Sequence, residues 1–427
     1  MLSTVRLSNG RAAWRFFGQS GLVVILLIGK YPPIEGGVSA YNYWLAQAFA
    51  EAGHKVIVLT NAEEVEEEYR MRLTAGDRAK LRGFRKRGSI LVSSTRWDSK
   101  VSYVPWANPY LSKLVSLGLE LVARHRPRFA YCSYFEPYGV AGLMLSKLTG
   151  IPYLVQHAGS DLGRLSASRQ LRALHREMLR GAAGVVCSPP AERRLIALGA
   201  SKKRLLRPLD CRLPSDVFRP SRLGRKAGAP LRLISYGKLD PSKGIDPLLK
   251  ALAECRGGGL SITIDAFWGG PSLEGIKRAI SRLGLGKAVR LHGFVPPWRI
   301  ALAIRRAHVG VFLESGFPIA MHTPLGAIEC MACGRPVILS EELARKAHMA
   351  GLVLRGRTAF VVRGSRPGPK GIERAFREAF AAAHSQLRIV LNREPGGDRR
   401  LRRQMRFLIG RATGPIGLQK ADRNRLL

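Results

Sequence analysis

The sequence is poor in acidic residues: 30 Asp and Glu stand against 70 Lys and Arg among 427 residues, a formal net charge of +40. Such a balance fits a polyanionic partner, an anionic membrane leaflet, or a bias that leaves Arg wherever a solvated side chain is tolerated. The cations are scattered along the chain, with no zinc-finger spacing and no RNP-like aromatic signature, so nucleic acid is not the expected partner. An anionic membrane surface stays open as one.

Cysteine is sparse as well. Cys132, Cys187, Cys211, Cys255, Cys330 and Cys333 are spaced as free thiols of a reducing compartment, not as a disulfide framework. Only Cys330 and Cys333 form a C-x-x-C, and without a second pair or a nearby His they read as packing residues of a helix, not metal ligands. No metal and no cofactor is expected.

Also missing is an apolar run long enough to cross a bilayer. Leu22 to Ile28 follows Arg11 and Arg15 as a signal-peptide core would, but no small-residue cleavage site appears and a Gly-rich turn and helix come next. It reads as a buried first strand behind a loosely ordered extension over 1–20. The expected location is the cytoplasm, with peripheral attachment to the inner face of the membrane as the charge suggests. Finally, no G-x-G-x-x-G follows either opening strand and no G-x-x-x-x-G-K-[ST] occurs, which argues against a dinucleotide dehydrogenase and a P-loop enzyme.

What is present is a repeated strand–helix alternation with enough apolar content, 46%, for two cores. LVVILLIG, then a helix with apolar positions at Val38, Tyr41, Leu45, Ala48 and Ala52, then HKVIVLT make a βαβ unit ending its helix at Gly53. Strands FAYCSYF, PYLVQHAG and GVVCS continue a first doubly wound α/β domain over 21–210. The stretch from Gly76 to Lys100 interrupts the rhythm and reads as a mobile surface insertion exposing Lys80, Arg82, Arg85, Lys86 and Arg87. A Pro-, Arg- and Gly-rich linker covers 211–230, and a second α/β domain covers 231–395. A basic amphipathic helix over 396–427, apolar at Leu401, Met405 and Leu408, either packs back on the first domain or docks on anionic lipid.

Two segments carry chemistry. In YGKLDPSKGIDPLLKAL, a strand ends at Gly237 and a helix is predicted to start with Asp246 as N-cap and Pro247 at its first position. The loop between carries Lys238 and Lys243, two ammonium groups in front of a helix N-terminus, as a diphosphate requires. The bland alternative is two solvated lysines. In MHTPLGAIECMACGRPVILS, Thr323 is predicted to cap a helix, leaving the amides of Leu325 and Gly326 facing an anion. Glu329, six residues on and thus ~9 Å along the axis, could then take ribose hydroxyls.

These segments resemble the retaining glycosyltransferases of the GT-B fold, family 4. YGKLDPSKG matches the family's Gly-Arg-x4-Lys-Gly loop with Lys238 in place of Arg, and ECMACGRPVI its Glu-Ala-Met-Ala-x-Gly-x-Pro-Val segment. Gly36 and Gly37 after the first strand, QHAGSD at Gln156 to Asp161, and SDVFRP before the second domain fit in order. The resemblance implies two Rossmann-like domains facing a cleft. Lys238 and Lys243 would neutralise the diphosphate, Glu329 would hold the ribose, and Gly36 and Gly37 would let the first-domain loop approach the donor. His157 would face acceptor and sugar, and the nucleobase would lie by Phe294 and Val295. His292 and Trp298 nearby read equally as packing residues, and Trp268 has no role derivable from sequence.

The implied activity is transfer from a nucleoside diphosphate sugar to a glycan or lipid-linked acceptor, with retention and without metal. One departure is Met321, where many members carry a first Glu contacting the donor sugar; Glu314 reads as too far upstream to replace it. The alternatives are a GT-B-like protein without turnover, binding nucleic acid or anionic membrane, and a sugar-nucleotide epimerase of similar architecture.

Overall fold

The computed structural model describes residues 22–82, 87–98, 107–221, 223, 228–317, 322–382 and 397–413. The expected extension over 1–20, Arg85, Lys86 and Met321 lie outside them.

Two sheets organise the chain, and every strand pairing within them is parallel. The first is built from β1 (Val24–Gly29), β2 (Lys55–Thr60), β3 (Ser89–Ser94), β4 (Phe129–Ser133), β5 (Tyr153–Gln156), β6 (Gly184–Val186) and β7 (Leu205–Leu206), in the order β3-β2-β1-β4-β5-β6-β7. Its helices are α1 (Gly37–Glu51), α2 (Ala75–Arg82), α3 (Tyr110–His125), α4 (Val140–Thr149), α5 (Arg169–Gly181) and α6 (Glu192–Leu198). The second sheet has β8 (Leu231–Lys238), β9 (Ile262–Gly269), β10 (Val289–Leu291), β11 (Val309–Phe312), β12 (Val337–Ser340) and β13 (Ala359–Val362), ordered β10-β9-β8-β11-β12-β13. It carries α7 (Ile245–Gly257), α8 (Leu273–Arg282), α9 (Pro297–Arg306), α10 (Leu325–Ala332), α11 (Glu341–Ala344) and α12 (Pro369–Ala382), and α13 (Gly397–Thr413) follows.

The apolar run at Leu22 forms β1, whose Ile25, Leu26, Leu27 and Ile28 are buried on both faces, as a central parallel strand requires. Strand order reverses between β1 and β4 and again between β8 and β11. A doubly wound sheet opens a crevice at such a point, beyond the carboxyl ends of its strands.

The stretch from Gly76 to Lys100 corrects the expectation of a surface insertion. Its first part is α2 and its centre is β3, paired with β2 along the first sheet. Asp77 on α2 is buried and accepts hydrogen bonds from Trp298 Nε1 (2.9 Å) and Arg299 (3.2 Å) on α9 of the second domain. Lys80 is exposed yet holds its ammonium 5.1 Å from the Trp298 ring, and Tyr43 packs on the same indole at 4.6 Å. Close by, the Arg72 amide donates to the Phe294 carbonyl at 2.8 Å. One apolar cluster therefore runs through both halves, joining Trp44 and Phe218 to Trp298, Ile300 and Met331.

Helix α13 adds Met405, Leu408 and Ala412 to that cluster. Leu401 and Met405 line a groove with Ala48 and Ala52 near the end of α1, and Gln404 accepts from the Asp210 amide at 3.2 Å. Packing back on the first domain thus accounts for its apolar face, while Arg402, Arg403, Arg406, Phe407 and Arg411 face outward. Among the described residues, no helix is long and apolar enough to cross a membrane. All six cysteines are free and buried, Cys330 and Cys333 included.

Candidate functional site

Strand β8 delivers the lysine loop. Gly237 sits at φ 128°, a conformation strained for any residue with a Cβ, and Lys238 ends the strand. A short 3-10 turn, Pro241–Lys243, follows, capped by Asp240, which accepts from the Ser242 amide at 2.9 Å; the N-cap of the next helix is Gly244, not the expected Asp246. Helix α7 then begins at Ile245, so Pro247 is its third residue. The predicted start was late because Gly244, at φ 67°, already turns the chain, and the first helical turn tolerates proline. Gly244 is required twice over, since a Cβ there would lie 2.8 Å from the Leu313 carbonyl oxygen. Ser315 donates its amide to the Ser242 carbonyl at 2.7 Å and fixes the turn against the end of β11.

Both lysines meet carboxylates. Lys238 Nζ lies 3.4 Å from Glu35 of the first domain and 4.7 Å from the Tyr69 ring. Lys243 is ion-paired with Glu314 and stands 4.5 Å from the Phe317 ring. Glu314 also takes His322 Nε2 at 2.6 Å. Burial would raise the Glu314 carboxyl, but the His322 hydrogen bond and the Lys243 charge outweigh it and hold it below its ordinary value. Glu314 thus stands against the loop lysine, a contact that its place in the sequence does not announce.

Helix α10 starts at Leu325 with Pro324 as its N-cap, one residue later than predicted, and no side chain caps it. Thr323 contributes its carbonyl, which accepts from the Leu325 amide at 2.8 Å, so that amide is not directed at an anion here. Gly326 lets the Phe312 ring approach: a Cβ on it would fall 2.5 Å from that ring. Glu329 is buried, and its Oε2 accepts from the Tyr236 hydroxyl at 2.6 Å. Burial pushes the Glu329 carboxyl up to about 7, against the opposing pull of that hydrogen bond. Because Tyr236 lies two residues before Lys238 on β8, Lys238, Lys243 and Glu329 gather around the carboxyl end of one strand.

The first domain supplies the facing wall. Gly36, at φ 124°, caps α1, and a Cβ on Gly37 would sit 3.3 Å from Leu325 Cδ1, so this turn reaches the N-terminus of α10. Lys30 ends beside it, its ammonium 5.4 Å from the Tyr134 ring; burial and then the Lys238 charge lower its pKa. His157 follows β5, buried, its Nε2 without a hydrogen-bond partner among the described residues, and burial drives it down to about 4. Next to it Asp161 accepts from the Ala158 and Phe135 amides (2.8 and 3.1 Å), yet burial raises it to about 8.

Phe294 and Val295 are both buried. The Phe294 ring occupies the space a Cβ on Gly269 would need, and its carbonyl is engaged by Arg72. His292 stacks on Phe267 at 4.5 Å and pairs with Asp265 at 2.8 Å, while Trp268 is buried and donates to Ser235 Oγ at 3.1 Å. With Trp298 they are packing residues in this structure.

Two parallel α/β sheets facing one another across these loops make a GT-B fold. Residues 36–207 match the glycosyl transferase 4-like domain, and 223–346 match the glycosyl transferases group 1 domain. The chain belongs to that glycosyltransferase family. No curated protein matches it in sequence.

Among solved structures it is similar to sucrose-phosphate synthase from Thermosynechococcus elongatus, at 19% identity and TM-score 0.58, covering 91% of this chain and 97% of that one. It is similar also to Anabaena HepE in complex with UDP-glucose, at 15% identity and TM-score 0.58, covering 90% and 99%. A third is WaaG, a glycosyltransferase involved in lipopolysaccharide biosynthesis, at 12% identity and TM-score 0.58, covering 92% and 100%.

Proposed function

We propose that this glycosyltransferase moves a sugar from a nucleoside diphosphate sugar to a glycan or lipid-linked acceptor, with retained anomeric configuration and without a metal. The observation that carries the reading is the grouping of Lys238, Lys243 and Glu329 around the end of β8, opposite Gly36 and Gly37. The lysines, with the N-terminus of α10 and Gly326 behind them, would take the diphosphate charge that a divalent cation bears elsewhere. Glu329 would accept the ribose hydroxyls, and the base would lie toward Phe294 and Val295.

His157 is neutral at working pH, so it would hydrogen-bond the sugar or acceptor instead of carrying charge. The acceptor hydroxyl attacks the anomeric carbon on the face the diphosphate leaves. The carbon–oxygen bond to the β-phosphate breaks as the new one forms, and a phosphate oxygen takes the acceptor's proton. The outward arginines of α13 fit an anionic membrane surface near a lipid-linked acceptor.

The test is acceptor-dependent release of nucleoside diphosphate across a panel of nucleotide-sugars, with Lys243→Ala and Glu329→Ala beside the wild type. Each substitution is expected to cost about tenfold or more in kcat/KM, the loss of a charge-assisted contact. Wild-type turnover in both would remove the site.

A further inference from the structure

Tyr236 stands between two acceptors. Its hydroxyl oxygen is 2.6 Å from Glu329 Oε2 and 2.9 Å from the Gly326 carbonyl oxygen, both on α10. The hydroxyl has one proton to give. When Glu329 is ionised, that proton goes to the carboxylate. When Glu329 is protonated, the carboxyl donates to the tyrosine oxygen and the tyrosine proton turns to Gly326.

The ring cannot swing away from this choice. It meets Phe312 edge-on, with centroids 5.3 Å apart at 86°, and Phe312 in turn fills the space beside the Gly326 Cα. Three elements, β8, β11 and α10, thus fix the hydroxyl.

We infer that Tyr236 is a positioning residue for the ribose-binding carboxylate, and that its hydroxyl, by donating to the ionised Glu329, sets the pH below which nucleotide affinity falls. The inference rests on the donor-site reading above. An ionised Glu329 anchored through Oε2 keeps its other lone pairs for the 2′- and 3′-hydroxyls. A protonated one spends its hydrogen on Tyr236 and offers the ribose a weaker acceptor.

The groups facing this pair are few. Tyr236 is held well above the ordinary phenol range by burial and by Glu329, so it keeps its proton throughout. Cys330, close to it, is pushed well above the ordinary thiol range by burial and stays neutral. Cys333 also faces Tyr236. Among the described residues, burial pushes Glu329 up to about 7 and the Tyr236 hydrogen bond pulls against it.

The test measures binding of UDP and GDP, and of their 2′,3′-dideoxy analogues, to the wild type, Tyr236→Phe and Glu329→Gln at a series of pH values from about 5.5 to about 9. Wild-type affinity for the ribonucleotide is expected to fall about tenfold per pH unit below the Glu329 transition relative to the dideoxy analogue, which shows only the titration of the diphosphate itself. In Tyr236→Phe the fall should begin at higher pH, with dideoxy binding unchanged.

An unshifted pH dependence in Tyr236→Phe, or equal loss for both nucleotides, overturns the inference. A Glu329→Gln protein that binds ribonucleotide like the wild type, or a wild type that binds neither nucleotide, overturns the donor-site reading instead. Should Tyr236→Phe not fold, a 13C label at the tyrosine phenolic carbons of the wild type must report the same titration and lose it in Glu329→Gln; a flat signal in the wild type overturns the inference.

Discussion

Lys238 and Glu35 form an ion pair that joins the two domains across the cleft, 3.4 Å apart, with the carboxylate side chain nearly enclosed and the lysine about half exposed. The cation expected to meet the donor's diphosphate is thus already occupied by an internal anion. Burial raises the Glu35 carboxyl, against the pull of Lys238, so this anion is held at some cost.

Glu35→Gln is expected to tighten nucleoside diphosphate binding about threefold at low salt, the scale of a half-exposed pair, and to change stability by less than about 1 kcal/mol. Titration calorimetry at two salt concentrations measures the first and denaturant unfolding the second. Weaker binding in the variant would show that Glu35 helps the donor instead of competing with it.

Glu314 contrasts with Glu35 because it is enclosed within one domain and serves both Lys243 and His322. Glu314→Gln is expected to cost about 1 to 3 kcal/mol and to weaken nucleotide binding by freeing the Lys243 turn. Its folded pKa lies below the ordinary 4.5. Its contribution is therefore present above that pH and is lost as pH falls toward the folded value. Acid unfolding followed by circular dichroism should be less steep below about pH 4.5 in the variant; identical acid limbs would contradict this.

Gly244→Ala places a methyl 2.8 Å from a carbonyl oxygen at a positive φ. The expected loss is about 1 to 3 kcal/mol in stability, together with weakened nucleotide binding as the lysine turn shifts. Gly275→Ala, with nothing within 4 Å of its added Cβ, is the control within helix α8 and should be neutral or stabilising. Thermal unfolding with and without nucleotide separates the two effects.

The outward face of α13 predicts adsorption to vesicles containing anionic phospholipid. Binding should weaken steeply between about 0.05 and 0.5 M salt and be reduced by Arg403→Glu with Arg406→Glu. Co-sedimentation reads it, and salt-independent binding would count against an electrostatic attachment.

Much of the fold was legible. Continuous apolar strands and amphipathic helices announced parallel sheets, because a strand buried on both faces has little freedom in composition. The stretch around α2 was not, since its lysines and arginines look solvated and only the approach of Trp298 turns Asp77 into an anchor. Helix starts were misplaced where backbone did the capping: Gly244 and Pro324 leave no side-chain signature of the usual kind.

Within the site, lysines and glycines were visible through their spacing, whereas Glu35, Glu314 and Tyr236 were not. Their roles depend on β8 lying beside β11 and on the first domain's turn reaching over, facts of topology that no local pattern holds. The sole local hint was that Tyr236 immediately precedes Gly237 at the end of a strand.

The clasp between Gln404 and Asp210 spans 194 positions. A ribosome therefore finishes the second half of the molecule before it releases the helix that closes over the first. Until then the flank of α1 around Ala48 and Ala52 emerges without its cover, so a helix made well before α13 is sealed only after it.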